Sequence, residues 1–545
     1  MTETPGPPLA GGPSAQESET ATIYGRAGVV MMFTALSRVL GMVRDLAIAH
    51  RFGAVGATDA WVQAFRVPNA LRRLTAEGSM TIAFIPIYVE VREKEGRVAA
   101  QRFAQRVLMA VLLATGVLTV LGVVFSEALT LVTSPGFSGQ PEKFALTALL
   151  IRWTFPYLMM VSLVAWSMGV LNSEGRYAAP AAAPIFLNLG IVAGVLWMTD
   201  WFPQPILAVA AGVLIGGACQ MALQVPSLLG TGLRPLPRLD WGDPHLRRLL
   251  RLLGPSLLSV AVYELNIIVL GIIASFLPSG QIFHYNNATR LTELVMGLFA
   301  FAFATAGLPS LSEHIARQDW RAVAQTARLT FSAAFFTALP AMVGLIVAGP
   351  AVVSMLYLHG AYTAADVLAT TGTLRVLALG MPAVAAVRVM VPIYYALQDS
   401  RTPAILSLLG VAVTAALGWE LSRRWDVLGL AAGLTVGTWV YCLALVWGLR
   451  GKSAALQGWF PFSPVAKQLL SCAAVAAYAY VAVGFGDWRL GPGSPENWAV
   501  LAATVGGAVL VYGGSAWLLG EPEVRNWLAL ARRVARYRKR DPGGR

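Results

Sequence analysis

The stretch SRVLGMVRDLAIAHRFGAVGATDAWVQAFRVPNALRRLTAE, residues 37–77, decides how the rest of the chain is interpreted. It combines apolar runs long enough to enter a membrane with many ionisable groups. Ionisable side chains at membrane depth are costly and normally face a water-filled or protein-lined interior. The stretch therefore predicts the wall of a polar cavity, and its surplus of arginine indicates that the cavity attracts anions. Its charged residues are Arg38, Arg44, Asp45, Arg51, Asp59, Arg66, Arg72, Arg73 and Glu77.

The composition of the whole chain is that of a polytopic membrane protein. Of its 545 residues, 56% are hydrophobic and 13% are charged, whereas soluble domains carry about 25% charged residues. The net charge of +13 would suggest nucleic acid in a soluble protein, but in a membrane protein lysine and arginine gather in cytoplasmic loops. The cysteine spacing fits neither a disulfide framework nor a metal site, and no phosphate loop or nucleophile motif occurs. We therefore expect a transporter without a cofactor rather than an enzyme.

Hydropathy predicts an all-α protein with about fourteen transmembrane helices, counted at roughly 20 apolar residues per crossing. The second and eighth spans carry charges, so they are candidates for broken helices. Lysine and arginine concentrate in one set of connections, including 91–106 and 231–251, and in the C-terminal run ARRVARYRKR. The other set, including TSPGFSGQPEK at 133–143, LPSG at 277–280 and LHGAYTAAD at 358–366, is nearly free of them. This asymmetry predicts that both termini are cytoplasmic. The predicted spans are 26–50, 57–90, 103–133, 144–172, 178–200, 205–230, 252–278, 281–312, 322–349, 364–397, 403–421, 427–449, 464–484 and 497–519.

A weak internal repeat divides the chain into two halves. FPYLMMVSLVAWSMGVLNSEGRYAAP at 155–180 and MPAVAAVRVMVPIYYALQDSRTP at 381–403 share an early proline, a short polar turn and a second proline. Parallel repeats of six helices, here offset by roughly 225 residues, are typical of transporters with a central site between the halves. The predicted organisation is a disordered cytoplasmic tail (1–22), an N-lobe of six spans (23–230), a basic cytoplasmic linker (231–251), a second six-span lobe (252–450), two additional helices (451–520) and a basic cytoplasmic tail (521–545).

The second half contributes Arg290 and Glu293, which are spaced to pair on one helix face. Arg38, Arg44, Arg72 and Arg290 together leave net positive charge in a low-dielectric cavity, which predicts that an anion binds there. Guanidinium groups bind phosphate bidentately and stay charged at physiological pH, so a phosphate or pyrophosphate is expected. A structural alternative stays open for four other arginines: they would be paired or snorkelling groups near helix ends, without a role in anion binding. These are Arg51, Arg66, Arg73 and Arg375.

Glu264 is nearly alone in its predicted helix. Two interpretations remain for it: the carboxylate carries a proton or cation during transport, or it pairs with an arginine from a neighbouring span. Without a nucleotide motif, transport is expected to use the membrane potential, an Na⁺ or H⁺ gradient, or the gradient of the substrate itself.

Residues 37–88 resemble the N-terminal signature of the MurJ (MviN) family of lipid II flippases. Supporting motifs are PGF at 135–137, FPY at 155–157, LNSEGRYAAPAAAP at 171–184, RLTEL at 290–294, LPSLS at 308–312 and QDSRTP at 398–403. The resemblance covers about residues 27–450. It implies membership of the multidrug/oligosaccharidyl-lipid/polysaccharide exporter superfamily, with two six-helix lobes around a cationic cavity and two extra helices that form a lipid groove.

The resemblance implies a function in peptidoglycan synthesis at the bacterial inner membrane. The implied substrate is undecaprenyl-pyrophosphoryl-MurNAc-pentapeptide-GlcNAc (lipid II), moved by alternating access by a monomer that associates with the cell-wall synthesis machinery. Arg38, Arg44, Arg72 and Arg290 would bind the pyrophosphate and sugars. Asp45, Asp59, Glu77 and Glu293 would pair with arginines when the cavity is empty. Trp61 and Gln63 would either touch the sugars or serve packing.

Other functions stay open at this point. An exporter of another polyprenyl-pyrophosphate-linked glycan, of O-antigen or polysaccharide type, would use the same cavity. A multidrug/cation antiporter is disfavoured because its cavity should hold acids and aromatic residues rather than arginines. A membrane scaffold recruited through the basic tail would not need the cavity arginines.

Overall fold

The computed structural model describes residues 15–73, 83–306, 308–452 and 459–525, with the side chains of 15–27, 254–263, 298–310 and 312 excepted. Within these residues the protein is helical and has no β-strand. The helices are α1 (Ala15–Phe52), α2 (Gly56–Arg72), α3 (Ile85–Glu95), α4 (Arg97–Val124), α5 (Ser126–Thr133), α6 (Pro141–Thr154), α7 (Pro156–Ser173), α8 (Ala178–Trp197), α9 (Leu207–Leu229), α10 (Pro244–Ala274), α11 (Gln281–Ala306), α12 (Leu308–Ala316), α13 (Trp320–Tyr357), α14 (Ala364–Ala378), α15 (Met381–Ala396), α16 (Arg401–Arg450), α17 (Phe462–Val483) and α18 (Pro495–Leu518).

Nine helical segments in the described part of the chain are long and apolar enough to cross a membrane. One of them, α16, has non-helical backbone at Trp425 and Asp426, and covers the eleventh and twelfth predicted spans. The first, second, seventh and eighth predicted spans fall on helices outside this set of nine. The all-α membrane fold is thus confirmed, whereas the count of fourteen stays a prediction.

Several predicted spans are divided, and the repeat explains two of the breaks. Pro156 opens α7 after Phe155, and Pro382 lies in the first turn of α15 after Gly380. Proline is accommodated in the first helical turn, where no intrahelical N–H bond is lost, whereas deeper in a continuous helix it would remove one such bond and clash with the carbonyl four residues earlier. The early proline shared by the two halves therefore marks the same helix break in each.

The predicted tail at 1–22 overlaps α1, which begins at Ala15, and the predicted domain boundaries stay a prediction. The segment AQESETAT at 15–22 holds neither proline nor glycine, so nothing in it opposes a helix. Residues 1–14 lie outside the described part.

The chain forms two compact units, and they divide it differently from the predicted lobes. Unit 1 comprises Met1–Arg44, Leu71–Val123 and Trp153–Leu257, and unit 2 comprises Asp45–Ala70, Val124–Arg152 and Leu258–Arg545. Unit 2 therefore contains two segments from the first half of the sequence. The predicted lobes themselves stay a prediction.

In unit 1, α8 and α9 pack closely because their contact is lined by glycine. A Cβ added to Gly190 would lie 2.6 Å from the Gly212 carbonyl oxygen, and one added to Gly194 would lie 2.3 Å from the Ala208 carbonyl oxygen. Small residues allow such backbone approach between membrane helices.

The predicted basic linker is part of the folded body of unit 1. Gln105 on α4 donates a hydrogen bond from Nε2 to the Arg234 carbonyl oxygen over 2.8 Å. Arg106, also on α4, forms ion pairs with Asp240 and Asp243. The linker is thus held to α4 by its backbone and by its two acids.

In unit 2, the long helix α13 packs against α11, α14, α15, α17 and α18. The two parts of α16 fold back on each other with glycines at the crossing. A Cβ on Gly433 would lie 2.4 Å from the Cα of Gly418, and one on Gly437 would lie 2.7 Å from the Gly410 carbonyl oxygen. The turn at Asp426, whose φ is +46°, permits this reversal.

Candidate functional site

Arg290 on α11 lies between two carboxylates in unit 2. Its Nε is 3.5 Å from Asp45 Oδ2, and its Nη1 donates to Glu293 Oε2 over 3.2 Å. The Asp45 side chain is 8% exposed, while those of Arg290 and Glu293 are 42% and 53% exposed. The expected pairing of Arg290 with Glu293 is confirmed, and Asp45 is a second partner. Arg290 is thus half-exposed, and Glu293 is the more exposed of its two carboxylate partners.

Arg44 is anchored in unit 1. Its Nη1 donates to Asn188 Oδ1 on α8 over 3.1 Å, and Asn188 Nδ2 donates to the Ser37 carbonyl oxygen over 3.0 Å. Asn188 is buried and neutral, so it orients the guanidinium without cancelling its charge. Arg38, which is exposed, and Arg72, which is half-buried, also belong to unit 1. The structure therefore groups Arg38, Arg44 and Arg72 in one unit, and Arg290 with Asp45 in the other.

Asp59 on α2 is completely buried and has a lysine partner. Lys143 Nζ lies 2.9 Å from Asp59 Oδ2. Two backbone amides at the start of α11 also donate to Asp59, from Gly280 to Oδ2 over 2.7 Å and from Phe283 to Oδ1 over 3.0 Å. The partner of Asp59 in this structure differs from the expected arginine, because Lys143 in the first turn of α6 pairs with it; the charge-pairing role expected for Asp59 during transport stays a prediction. Asp59 compensates the amides that no helix bond can satisfy at the start of α11.

Gln63 and Trp61 serve packing in this structure. Gln63 is 2% exposed and donates from Nε2 to the Gly271 carbonyl oxygen on α10 over 2.7 Å. Trp61 is 6% exposed and stacks on Phe65, with ring centroids 5.0 Å apart. These contacts favour the packing interpretation over sugar contact for both residues.

Connections that the charge distribution predicts on the external side meet one another in unit 2. At the end of α1, the His50 carbonyl oxygen accepts from the Ala361 amide over 2.8 Å. The imidazoles of His50 and His359 approach to 2.9 Å between their Nδ1 atoms. Gly53, with φ +67°, lies so close to Ala361 that an added Cβ would be 2.5 Å from its carbonyl oxygen.

The PGF motif makes a second such contact. The Gly136 amide donates to Ser275 Oγ over 2.9 Å. A Cβ at Gly136 would lie 2.4 Å from the Ser275 carbonyl oxygen, so glycine is required by the close approach. Together with the Asp59–Lys143 pair, these contacts tie residues 50–63 and 136–143 to the loops at 275–283 and 359–361. We refer to this set as the loop cluster.

The roles of two predicted site residues stay predictions. Glu77 lies outside the described residues. Glu264 on α10 is 2% exposed, and its ion-coupling role stays a prediction.

Sequence reasoning assigned no role to Lys143, His359 or Asn188. A usable signal existed for Lys143, because it is a basic residue in a connection otherwise free of them. The histidine pair and the Arg44–Asn188 contact join residues far apart in the sequence, so no local pattern marks them.

The comparison with known families decides the relationship. A family model described as lipid II flippase MurJ matches residues 48–488. The chain belongs to the MurJ family. A probable lipid II flippase MurJ from Vibrio cholerae is 31% identical over 429 residues, which are 77% of this chain and 82% of that protein. The lipid II flippase MurJ of Burkholderia cenocepacia is 30% identical over 464 residues, which are 84% of this chain and 89% of that protein.

Solved structures show that the MurJ fold is shared. A lipid II flippase MurJ in an inward closed conformation superposes with a TM-score of 0.76 at 23% identity, covering 92% of this chain and 99% of that one. A multidrug resistance MATE family transporter of the MOP superfamily, in an inward-facing conformation, reaches 0.66 at 13% identity and covers 79% of this chain and 99% of that one. The resemblance drawn from the signature is thus confirmed, and the chain is a multi-pass membrane protein of the MurJ family.

Proposed function

We propose that this protein is the lipid II flippase of its cell and moves undecaprenyl-pyrophosphoryl-MurNAc-pentapeptide-GlcNAc from the inner to the outer leaflet of the bacterial inner membrane. The proposal is supported by the match to the MurJ family together with two positioned arginines that could bind an anion. Arg44 is oriented by the neutral Asn188, and Arg290 is half-exposed beside Asp45 and Glu293. No covalent step is involved, so the protein is a transporter and not an enzyme.

In this mechanism Arg38, Arg44, Arg72 and Arg290 bind the pyrophosphate and the adjoining sugars. A pyrophosphate offers oxygens that match the guanidinium fork, and charge-assisted bonds of this kind are about twice as strong as neutral ones. Glu293 would leave Arg290 when the anion arrives and return when it departs, which limits repulsion among the arginines in the empty cavity. Glu77 would act in the same way. The polyprenyl tail would remain in the bilayer along α17 and α18.

The loop cluster supports alternating access as the transport mechanism. Its contacts join connections that the positive-inside distribution assigns to the external side. They would seal that side while the head group enters from the cytoplasm, and they would part when the protein opens outward. Asp59 would then exchange Lys143 and the amides of α11 for water, so the gating role proposed for Asp59 acts through Lys143.

Further aspects belong to this proposal. Both termini are cytoplasmic, and the protein works as a monomer beside the cell-wall synthesis machinery. The membrane potential or a gradient of Na⁺ or H⁺ drives transport, with Glu264 as the candidate coupling group. The family match favours lipid II over another polyprenyl-linked glycan or a drug cation.

The test is head-group accessibility of lipid II in cells that depend on this protein. Replacing Arg72 or Arg290 by alanine removes charge-assisted bonds, each worth about 1.5–3 kcal/mol, and should abolish complementation and externally accessible lipid II at unchanged protein level. Arg317→Ala is the matched control, because Arg317 is 70% exposed and pairs with Glu313 on its own helix turn. Normal flipping by both cavity variants would contradict the proposal.

A further inference from the structure

A group of polar side chains is buried where α18 ends. Gly520, with φ +65°, stops the helix, and the Glu521 amide bonds back to the Ala516 carbonyl oxygen over 2.9 Å. This turn directs the chain back toward α17, and Glu521 is 1% exposed. Glu523, two residues later, is 5% exposed. The beginning of the predicted basic tail is therefore an acidic, buried segment.

Glu521 connects three helices through Gln468. Gln468 on α17 is completely buried, and its Nε2 donates to Glu521 Oε1 over 2.8 Å. The same Nε2 lies 3.2 Å from the Ser332 carbonyl oxygen on α13. Tyr512 on α18 is 6% exposed, and its ring packs on Phe336 of α13 with centroids 4.9 Å apart.

Four oxygens of this group have no hydrogen-bond partner among the described residues. They are Glu521 Oε2, Gln468 Oε1, Tyr512 Oη and Ser471 Oγ. Ser471 is completely buried and lies one turn after Gln468 on the same face of α17. Buried polar atoms in proteins are almost always paired, so these four orphan oxygens require an explanation.

The chemistry of these oxygens indicates a cation. A carboxylate, an amide oxygen and two hydroxyls are the ligands that hard cations prefer. Glu523 adds negative charge to the surroundings of Glu521, and the cation Lys467 lies at the margin, with Nζ 3.3 Å from the Gly520 carbonyl oxygen. Partial compensation by one lysine leaves a charge suited to a monovalent ion. A water molecule could pair the oxygens but would leave the buried charge uncompensated.

We propose that Glu521, Gln468, Tyr512 and Ser471 bind an alkali cation, Na⁺ or K⁺, that clamps the α17–α18 hairpin to α13. This site is separate from the arginines and from Glu264, and it goes beyond the proposed transport function. The bound ion would fix the hairpin through ligands from both of its helices, while Gln468 transmits the constraint to α13.

The test is ²²Na⁺ binding to the purified full-length protein in detergent, together with thermal unfolding in NaCl, KCl or N-methyl-D-glucamine chloride at equal ionic strength. The parent should bind Na⁺ saturably, with competition by K⁺, and should unfold at a higher temperature in either alkali salt. Glu521→Gln and Tyr512→Phe should each weaken binding by at least about tenfold, since even groups that only support the ligands of a metal contribute that much. Glu496→Gln is the control, since Glu496 is an exposed acid at the opposite end of α18.

Equal unfolding temperatures in all three salts would overturn the inference, as would binding that Glu521→Gln leaves intact. Binding restricted to divalent cations would overturn it as well. Tyr512→Phe keeps the ring packing, so a loss of binding by this variant at unchanged unfolding temperature in N-methyl-D-glucamine supports ligation by Oη. These results are independent of lipid II flipping.

Discussion

Replacing Lys143 by methionine tests whether the loop cluster depends on its buried ion pair. The Asp59 side chain is 0% exposed and that of Lys143 is 6% exposed, with 2.9 Å between the charged atoms. Removing one partner of a buried pair costs about 3–5 kcal/mol, because the remaining charge is uncompensated. Asp59 retains the amides of Gly280 and Phe283, so we expect a loss near the lower limit, about 3 kcal/mol.

The informative comparison is the double variant Asp59→Asn/Lys143→Met. Asp59→Asn alone leaves the Lys143 ammonium buried without its anion, so it should also cost about 3 kcal/mol. The double variant holds no buried charge, and the asparagine oxygen can still accept from one amide of α11. It should therefore be more stable than either single variant by about 1–2 kcal/mol.

The measurement is the free energy of unfolding from SDS titration in mixed micelles. Glu142→Gln is the control, because Glu142 is an exposed neighbour of Lys143 and should change stability by no more than about 0.5 kcal/mol. A double variant whose loss equals the sum of the two single losses would show that the pair is not coupled and would refute the reasoning.

Three further predictions concern other contacts. Gly136→Ala should destabilise the protein by about 1–3 kcal/mol through overpacking, since its Cβ would lie 2.4 Å from the Ser275 carbonyl oxygen. Gly139→Ala is the control, because no atom lies within 4 Å of its added Cβ, and it should leave the free energy of unfolding unchanged in the same SDS titration. The ion pair with Lys452 holds the pKa of Asp399 well below its usual range, so its stabilisation, about 1 kcal/mol for a partly exposed pair, is present at neutral pH and disappears as pH falls below the ordinary carboxyl pKa. The unfolding temperatures of Asp399→Asn and the parent should therefore converge on acidification, and a constant gap would contradict this. Burial lowers the pKa of His359, and the imidazole of His50 lowers it further. The folded protein therefore loses stability as pH falls through the ordinary histidine pKa of about 6.5. The variant His359→Asn should lose less stability than the parent between pH 7 and pH 5, and equal losses of stability would refute this expectation.

The sequence alone determined the membrane class, the helical fold and the family. These follow from properties that a linear pattern carries, namely hydropathy, the distribution of lysine and arginine, and a long signature motif. The prolines shared by the repeat lie at the starts of α7 and α15, although the predicted fourth and tenth spans ran through them as single helices. Arg290 and Glu293 could be paired in advance because a helix places residues three apart on one face.

Only the tertiary structure decided which distant charges meet. Asp59 could have paired with any of several arginines, and the burial of Lys143 beside it depends on how the first turn of α6 packs against α2. Likewise, the sequence places Glu521 at the start of a predicted basic tail. In the structure, the turn at Gly520 brings Glu521 into contact with Gln468. Long-range ion pairs depend on three-dimensional distance and desolvation, and neither is encoded in residue spacing along the chain. The sequence therefore determined the arginine-rich chemistry of the protein, while the fold determined which acids and amides compensate it.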